Sequence, residues 1–292
     1  MNDRIGVGVF CYKRLDSLKN LLSDIKNNDS LERIKFYFFV DGSNDLSLDR
    51  TKLFYEINSF LEKHDGLLVK REKNYGLSKN ISKGIDFITN KHNKFISLED
   101  DLRLSKNYFK HMLKMLDYYE SDSSVGSVSG VNYFNKTYKF NLKVSNFGDC
   151  LAWGSWRNRW ENQERNILKL TNKIKTNKFL FNRSNSYPYF RLLRKQKSYN
   201  SSWAIVWYAN NFIKKRSMIF SFTCFAKHEV NELATNYSIN KIDPLDSILN
   251  NKEYEVIDFS KTIDSDKYLD EWLKTYDFGI FRRLLISNGL YN

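Results

Sequence analysis

An α/β fold with a mostly parallel sheet is predicted by three features of the sequence. Short apolar runs alternate with stretches of helical period through the first 131 residues, and each run closes on charged or turn-forming residues. Strands separated by single helices imply βαβ units. The 292-residue chain, 41% hydrophobic and 16% aromatic, can bury a sizeable core. It has only two prolines and no Pro/Ser/Gly-rich linker, which predicts one compact unit.

Ile5–Phe10 is the first strand, and Leu15, Leu18, Leu21, Leu22 and Ile25 follow at helical spacing. Lys35–Val40 is the second strand, closed by the turn residues Asp41-Gly42-Ser43. Leu53, Phe54, Ile57, Phe60 and Leu61 form a helical face, and Leu67–Val69 a third strand. Ile81, Ile85 and Ile88 form the next stripe before the strand Phe95–Leu98. Tyr108, Met112, Met115 and Tyr119 mark a further helix, and Val125–Val131 is again strand-like. Residues 1–131 thus form one α/β half, and 132–292 a C-terminal lobe packed with it as one compact unit.

No stretch approaches the ~18 continuous apolar residues of a transmembrane helix. MNDRIGVGVF reads as the first strand and lacks a signal-peptide pattern, so a cytoplasmic protein is expected. Cys11, Cys150 and Cys224 have no metal-type spacing and read as free thiols in a reducing compartment.

In a parallel sheet, ligands bind beyond the carboxyl ends of the strands. The polar residues there are Tyr12-Lys13-Arg14, Asp41, Asn74-Tyr75-Gly76 and Glu99-Asp100-Asp101, all expected on one rim. Adjacent carboxylates repel unless a cation sits among them. Mg²⁺ and Mn²⁺ prefer oxygen ligands, and Mg²⁺ commonly takes one or two carboxylates plus substrate phosphates. The plainer explanation is helix capping by the acids. Basic loops beside the triplet favour a metal–diphosphate site over capping.

These stretches resemble the GT-A fold glycosyltransferases of family 2 and the related N-acetylglucosaminyltransferase I. "SLEDDL" is similar to their metal-binding DXD motif, "GVFCYKRLDSLKNLL" to the first strand and helix, and "FFVDGS" to the second strand with its nucleoside-contacting Asp. "NYGLSKNISKGI" resembles their N-x-G-x-x-x-N-x-G loop, with Lys79 where Arg is common. Further on, "CLAWGSWRNRW" and "SSWAIVWYANNFIKK" are similar to segments of bacterial sugar transferases. The next segment departs: His228–Asn236 lacks the relatives' glycines, and Glu232 falls near their Asp position.

The resemblance implies a GT-A (Rossmann-like) sheet with an acceptor-side lobe. It implies metal-dependent transfer of a hexosyl or N-acetylhexosaminyl unit from a nucleotide-sugar, with a UDP-sugar favoured. The acceptor would be a glycan or lipid-linked glycan in bacterial surface polysaccharide synthesis. Asp101 and Glu99 are then expected at Mn²⁺ or Mg²⁺, and Tyr12, Arg14, Asp41, Asn74, Gly76, Lys79 and Asp100 at the donor. Asp41 and Lys79 have plainer explanations as a turn cap and a solvated helix lysine. An inverting route needs a general base, for which Glu232, Asp149 and Glu229 are candidates; a retaining route needs none.

Trp153, Trp156 and Trp160 are spaced as one helical face packed in the core, with Trp153 the candidate to stack on an acceptor.

The net charge of +13 is unevenly placed. Arg165–His228 holds fourteen of the 47 Lys and Arg and no acid, leaving 33 to balance the 34 Asp and Glu. Ile167, Leu170 and Ile174 alternate there with lysines, which predicts a basic amphipathic helix on an anionic membrane surface, peripheral on its inner face. A solvated basic face is the plainer alternative. A nucleic-acid- or polyanion-binding protein is the rival suggested by this charge, but no nucleic-acid motif accompanies it. A sugar-nucleotide pyrophosphorylase would carry a G-x-G-x-R signature that is missing, whereas the eroded 228–236 segment admits an inactive nucleotide-sugar-binding relative.

Overall fold

A computed structural model of the chain describes residues 4–43, 50–134, 136–196, 202–229 and 249–275. Its first half follows the periodicity. Strand β1 (Ile5–Cys11) is buried throughout, as a central parallel strand must be when both sheet faces are covered. Helix α1 (Leu15–Lys26) buries Leu18, Leu21, Leu22 and Ile25. Strand β2 (Ile34–Val40), helix α2 (Thr51–Leu61), strand β3 (Gly66–Lys70), helix α3 (Leu77–Thr89) and strand β4 (Lys94–Glu99) follow. Helix α3 lies so close to β1 that a Cβ at Gly6 would stand 2.3 Å from Ile88, and one at Gly84 2.4 Å from Phe10. Strand β1 pairs in parallel with β2 and β4, and β2 with β3. Cys11 lies beside Val40 and Phe10 beside Glu99, so these strands end on one rim.

The second half enters the same sheet rather than forming a separate one. Strand β5 (Leu102–Leu104), helix α4 (Tyr108–Tyr118), and strands β6 (Val125–Ser129), β7 (Asn141–Val144) and β8 (Trp153–Trp156) come first. Helices α5 (Arg157–Trp160), α6 (Ile167–Ile174), α7 (Lys178–Phe181), α8 (Tyr189–Lys195) and α9 (Trp203–Ile213) follow. Strands β9 (Ser217–Phe220), β10 (Ala226–His228) and β11 (Thr262–Asp264), then helix α10 (Asp266–Thr275), complete the described chain. Among the described residues the main sheet has nine strands, ordered β3-β2-β1-β4-β8-β6-β9-β7-β11. Strand β8 runs antiparallel between β4 and β6, so its beginning lies at the rim where β4 ends. A two-stranded ribbon of β5 and β10 stands apart, with His228 opposite Leu102.

Two sequence expectations are corrected here. Trp153 and Trp156 belong to a strand, not to one helical face, and the helical turn begins only at Arg157. Trp153 is 0% exposed and packs against Phe95, Trp203 and Trp207 at ring separations of 5.1, 5.4 and 5.2 Å. It has no surface to offer an acceptor and is a core residue. Second, the apolar face of α6 is used by the protein itself: Leu170 and Ile174 are buried, with α8 and α9 packed against the helix. Only Leu168, 69% exposed, faces outward as an apolar residue of α6.

Among the described residues no helix is long and apolar enough to cross a membrane. Cys11, Cys150 and Cys224 are free thiols.

The aromatic cluster around Trp153 joins β4, β8 and α9 across the two halves. Trp153→Ala is expected to cost about 3–5 kcal/mol, the range for emptying a fully buried large aromatic site. Chemical denaturation checks it; a loss below about 1 kcal/mol would mean that the site collapses or is solvated.

Candidate active site

The acidic end of β4 is held by one arginine and one histidine. Asp100 is 0% and Asp101 4% exposed. Arg14, at the start of α1, places Nη2 2.6 Å from Asp100 Oδ1 and Nη1 2.5 Å from Asp101 Oδ2. The Tyr12 backbone N–H donates to Asp100 Oδ2 at 3.1 Å. His228 Nε2 lies 3.0 Å from Asp101 Oδ2, and the Glu229 N–H donates to the Asp101 carbonyl at 2.6 Å. Burial raises the Asp100 carboxyl to about 6 despite Arg14. It pushes Glu99 up to about 8, helped by the charge of Asp101. Asp101 is lowered: although burial opposes ionisation, hydrogen bonding and charge from His228, and then Arg14, outweigh it.

Two cavities open on either side of this strand end. The smaller, about 190 Å³, is lined by Tyr12, Arg14, Asp41, Asn74, Gly76 and Asp100 among others, gathering six of the seven sequence-predicted donor residues. Local geometry explains the N-x-G spacing. Asn74 Oδ1 accepts the Gly76 N–H at 2.7 Å, and Gly76 takes φ +74°, open to glycine without strain. Asp41 Oδ1 accepts N–H groups from Gly42 at 2.9 Å and Tyr75 at 2.8 Å, so it braces the loop as well as lining the cavity. Lys79 is the exception: its Nζ stands 4.8 Å over the Tyr75 ring, outside the lining. Asp100 lines the cavity with both carboxylate oxygens already engaged, one by Arg14 and the other by the Tyr12 amide, so it presents little free surface there.

Sequence reasoning missed Arg71, whose Nε donates to Asn80 Oδ1 at 3.1 Å while its guanidinium lies over Tyr75. Its Nη2 is buried without a partner among the described residues. Its position at the end of β3, the fourth strand end on the rim, was the available signal.

The larger cavity, about 400 Å³, is lined by Glu99, Asp149, His228, Tyr133, Tyr189 and Trp272 among others. The antiparallel entry of β8 creates it. Ser97 pairs with Trp153, which sets the residues just before β8 beside the end of β4. Tyr133 Oη donates to Asp149 Oδ2, and the Cys150 N–H donates to Oδ1 at 2.7 Å. Burial raises the Asp149 carboxyl above its ordinary value, against these hydrogen bonds. Tyr133 in turn stacks on Trp272 with ring centres 4.5 Å apart.

Of the other candidate bases, Glu229 is turned away. Its Oε1 accepts from Asn20 Nδ2 at 2.9 Å and faces Arg103 at 3.5 Å, and it lines neither cavity. Glu232 lies outside the described residues. His228 was missed as a site residue, because its contact with Asp101 spans 127 positions of chain.

Among the described residues no three His, Cys, Asp or Glu side chains form a metal site by themselves. A hard divalent ion shared with a diphosphate needs only one or two carboxylates. Asp101 Oδ1 is buried without a hydrogen-bond partner among the described residues, which fits it for such an ion. Glu99, one residue from Asp100, opens into the larger cavity beside it.

The profile of glycosyl transferase family 2 matches residues 7–199. The chain belongs to this family. No curated protein sequence matches it. Among solved structures, S. aureus TarS is similar at 12% identity and a TM-score of 0.50, over 78% of this chain and 37% of TarS. TarS 1–349 in complex with UDP-GlcNAc is similar at 12% identity and a TM-score of 0.49, over 80% of this chain and 62% of that one. The first likeness agrees with the GT-A fold seen in the sheet, and this chain spans little more than a third of TarS.

In chelator, Glu99→Gln is expected to raise the melting temperature, and by more as pH rises. The folded carboxyl stays protonated up to about 8, while the unfolded one ionises near its ordinary 4.5. Its contribution to stability is therefore full below the unfolded value and is lost as pH rises through the folded one. Melting curves from about pH 5 to 9 read this difference; one that does not change with pH would show that Glu99 is not strained by burial.

Proposed function

We propose that this protein is a glycosyltransferase that moves a hexosyl or N-acetylhexosaminyl unit from a UDP-sugar to a hydroxyl of a glycan or lipid-diphosphate-linked glycan. We place the reaction in bacterial surface polysaccharide synthesis, at the inner face of the membrane, with Mn²⁺ or Mg²⁺ as cofactor. The observation that carries this reading is the acidic end of β4, whose neighbouring residues Asp100 and Glu99 line two different cavities. A donor in the smaller cavity and an acceptor in the larger would meet there.

In this mechanism the nucleoside lies against Asp41 and the Asn74–Gly76 loop, in the 1–131 half. Tyr12 and Arg14 face the polar parts of the donor, with Lys79 at its edge and Arg71 behind the lining, holding Asn80. Asp101 and Glu99 would hold the divalent ion, which when bound would offset the charge developing on the leaving diphosphate. The 132–292 half supplies the acceptor site. Asp149 takes the proton of the acceptor hydroxyl, with Tyr133 orienting it. Burial already raises its carboxyl toward the range of a working base. Glu232 is the alternative base, and the same experiment decides between them.

A panel of nucleotide-sugars with Mn²⁺ tests the donor reading by thermal stabilisation. A ligand at 100 times its Kd is expected to add ~2.7 kcal/mol. Asp101→Asn, which keeps the side chain's volume in the buried cluster, is expected to abolish the metal-dependent part, with a melting curve to confirm folding; unchanged Mn²⁺ dependence of UDP binding would remove the metal from Asp101.

Asp149→Asn is expected to lower turnover by ~10²–10⁴-fold with donor binding preserved. If Asp149→Asn keeps wild-type turnover and Glu232→Gln loses it, the base is Glu232. If both retain turnover, the inverting mechanism is wrong.

A further inference from the structure

The apolar face of α6 is buried, so the basic stretch cannot meet a membrane through Leu170 and Ile174. A different apolar surface remains. The chain from Lys175 to Leu180 is exposed at every residue, through a 3-10 turn and into α7. Within it Phe179 is 54% and Leu180 60% exposed, although Phe181, next in sequence, is fully buried and anchors the turn. Large apolar side chains side by side on an exposed turn are costly in water unless something covers them.

Charge identifies the cover. Lys173, Lys175 and Lys178 surround this turn in sequence; among the described residues none makes a close ion pair with a carboxylate, and of the three only Lys173 is near enough to Glu164 to interact with its carboxylate. Other cations of the acid-free stretch are spent internally: Arg165 on Asp86, and Arg183 on Asp266 and Asp270. Exposed aromatic and aliphatic groups flanked by unpaired lysines suit the boundary of an anionic bilayer, where the apolar groups enter the acyl region and the lysines face headgroups. A soluble polyanion would use the lysines and leave Phe179 and Leu180 in water.

The surface is also connected to the acceptor side. Helix α8 packs against α6 and α7, and its Tyr189 and Leu192 line the larger cavity. We infer that the Lys173–Leu180 turn docks the enzyme on an anionic lipid bilayer by inserting Phe179 and Leu180, next to the cavity that takes the acceptor. This rests on the reading of the acceptor as membrane-linked.

Co-sedimentation of the full chain with vesicles tests it, using phosphatidylcholine alone and phosphatidylcholine mixed with phosphatidylglycerol across a salt series. Wild type is expected to sediment with the anionic vesicles only. Replacing Lys173, Lys175 and Lys178 by Gln is expected to weaken partitioning about five-fold for each lysine. Phe179→Ser with Leu180→Ser is expected to abolish the binding that survives moderate salt. Melting temperatures of all variants should stay at the wild-type value, since these side chains are exposed. Equal sedimentation with both vesicles, or a Phe179/Leu180 variant that binds like wild type at every salt concentration, overturns the proposal. So does binding to heparin that competes with the vesicles and ignores Phe179 and Leu180. UDP-sugar stabilisation measured on the same samples separates the two ideas. If it persists without vesicle binding, the transferase reading stands and the docking surface falls. Vesicle binding through this turn with no nucleotide-sugar stabilisation leaves the docking surface and removes the donor reading.

Discussion

The ion cluster of Arg14 with Asp100 and Asp101 is the interaction on which the site is built. Two carboxylates this deeply buried would repel each other strongly at the low effective dielectric of an interior. Arg14 offsets this by reaching both, with contacts of 2.6 and 2.5 Å. Because Arg14 starts α1 and the Tyr12 amide shares Asp100, the cluster also ties the ends of β1 and β4. The result is a rim fixed by charge rather than by apolar contact. Glu99 is compensated only in part by Arg14 and opens to the larger cavity with its carboxyl raised by burial to about 8. Glu99 and Asp101 Oδ1 are thus the positions of the triplet that a further cation would satisfy.

The antiparallel strand β8 gives the second half access to that rim. A parallel strand in its place would have carried its preceding loop to the opposite edge of the sheet. Running backward, β8 begins where β4 ends, so the loop before it delivers Asp149 to the same cavity as Glu99. The aromatic packing of Trp153 with Phe95, Trp203 and Trp207 holds this strand in place. The apolar core contact of Trp153 and the placement of Asp149 in the larger cavity are therefore set by one strand.

The ribbon of β5 and β10 makes a similar connection. It pairs Leu102 with His228, so the last residue of β10 brings an imidazole to Asp101, the residue just before β5. Arg103 and Asn20 hold the adjacent Glu229 away from the cavities.

The sequence by itself determined the first half and most of the residues that line the smaller cavity. Regular alternation of apolar runs and helical stripes predicts β1 to β4 and α1 to α4. The rule that ligands meet strand ends then picks out Tyr12, Arg14, Asp41, Asn74, Gly76 and the acidic triplet. Local patterns suffice there because each βα unit places its own strand end on the rim. What the tertiary structure decided are the contacts between distant segments: Asp101 with His228, Asp149 with Tyr133 beside Glu99, and Arg71 over Tyr75. It also decided which way an amphipathic face looks, since Leu170 and Ile174 are buried while Leu168, Phe179 and Leu180 are not. Periodicity reports that a face is apolar, but only packing shows what covers it. The direction of β8, and with it the position of Asp149, depends on pairing with β4 and β6, which no local spacing encodes.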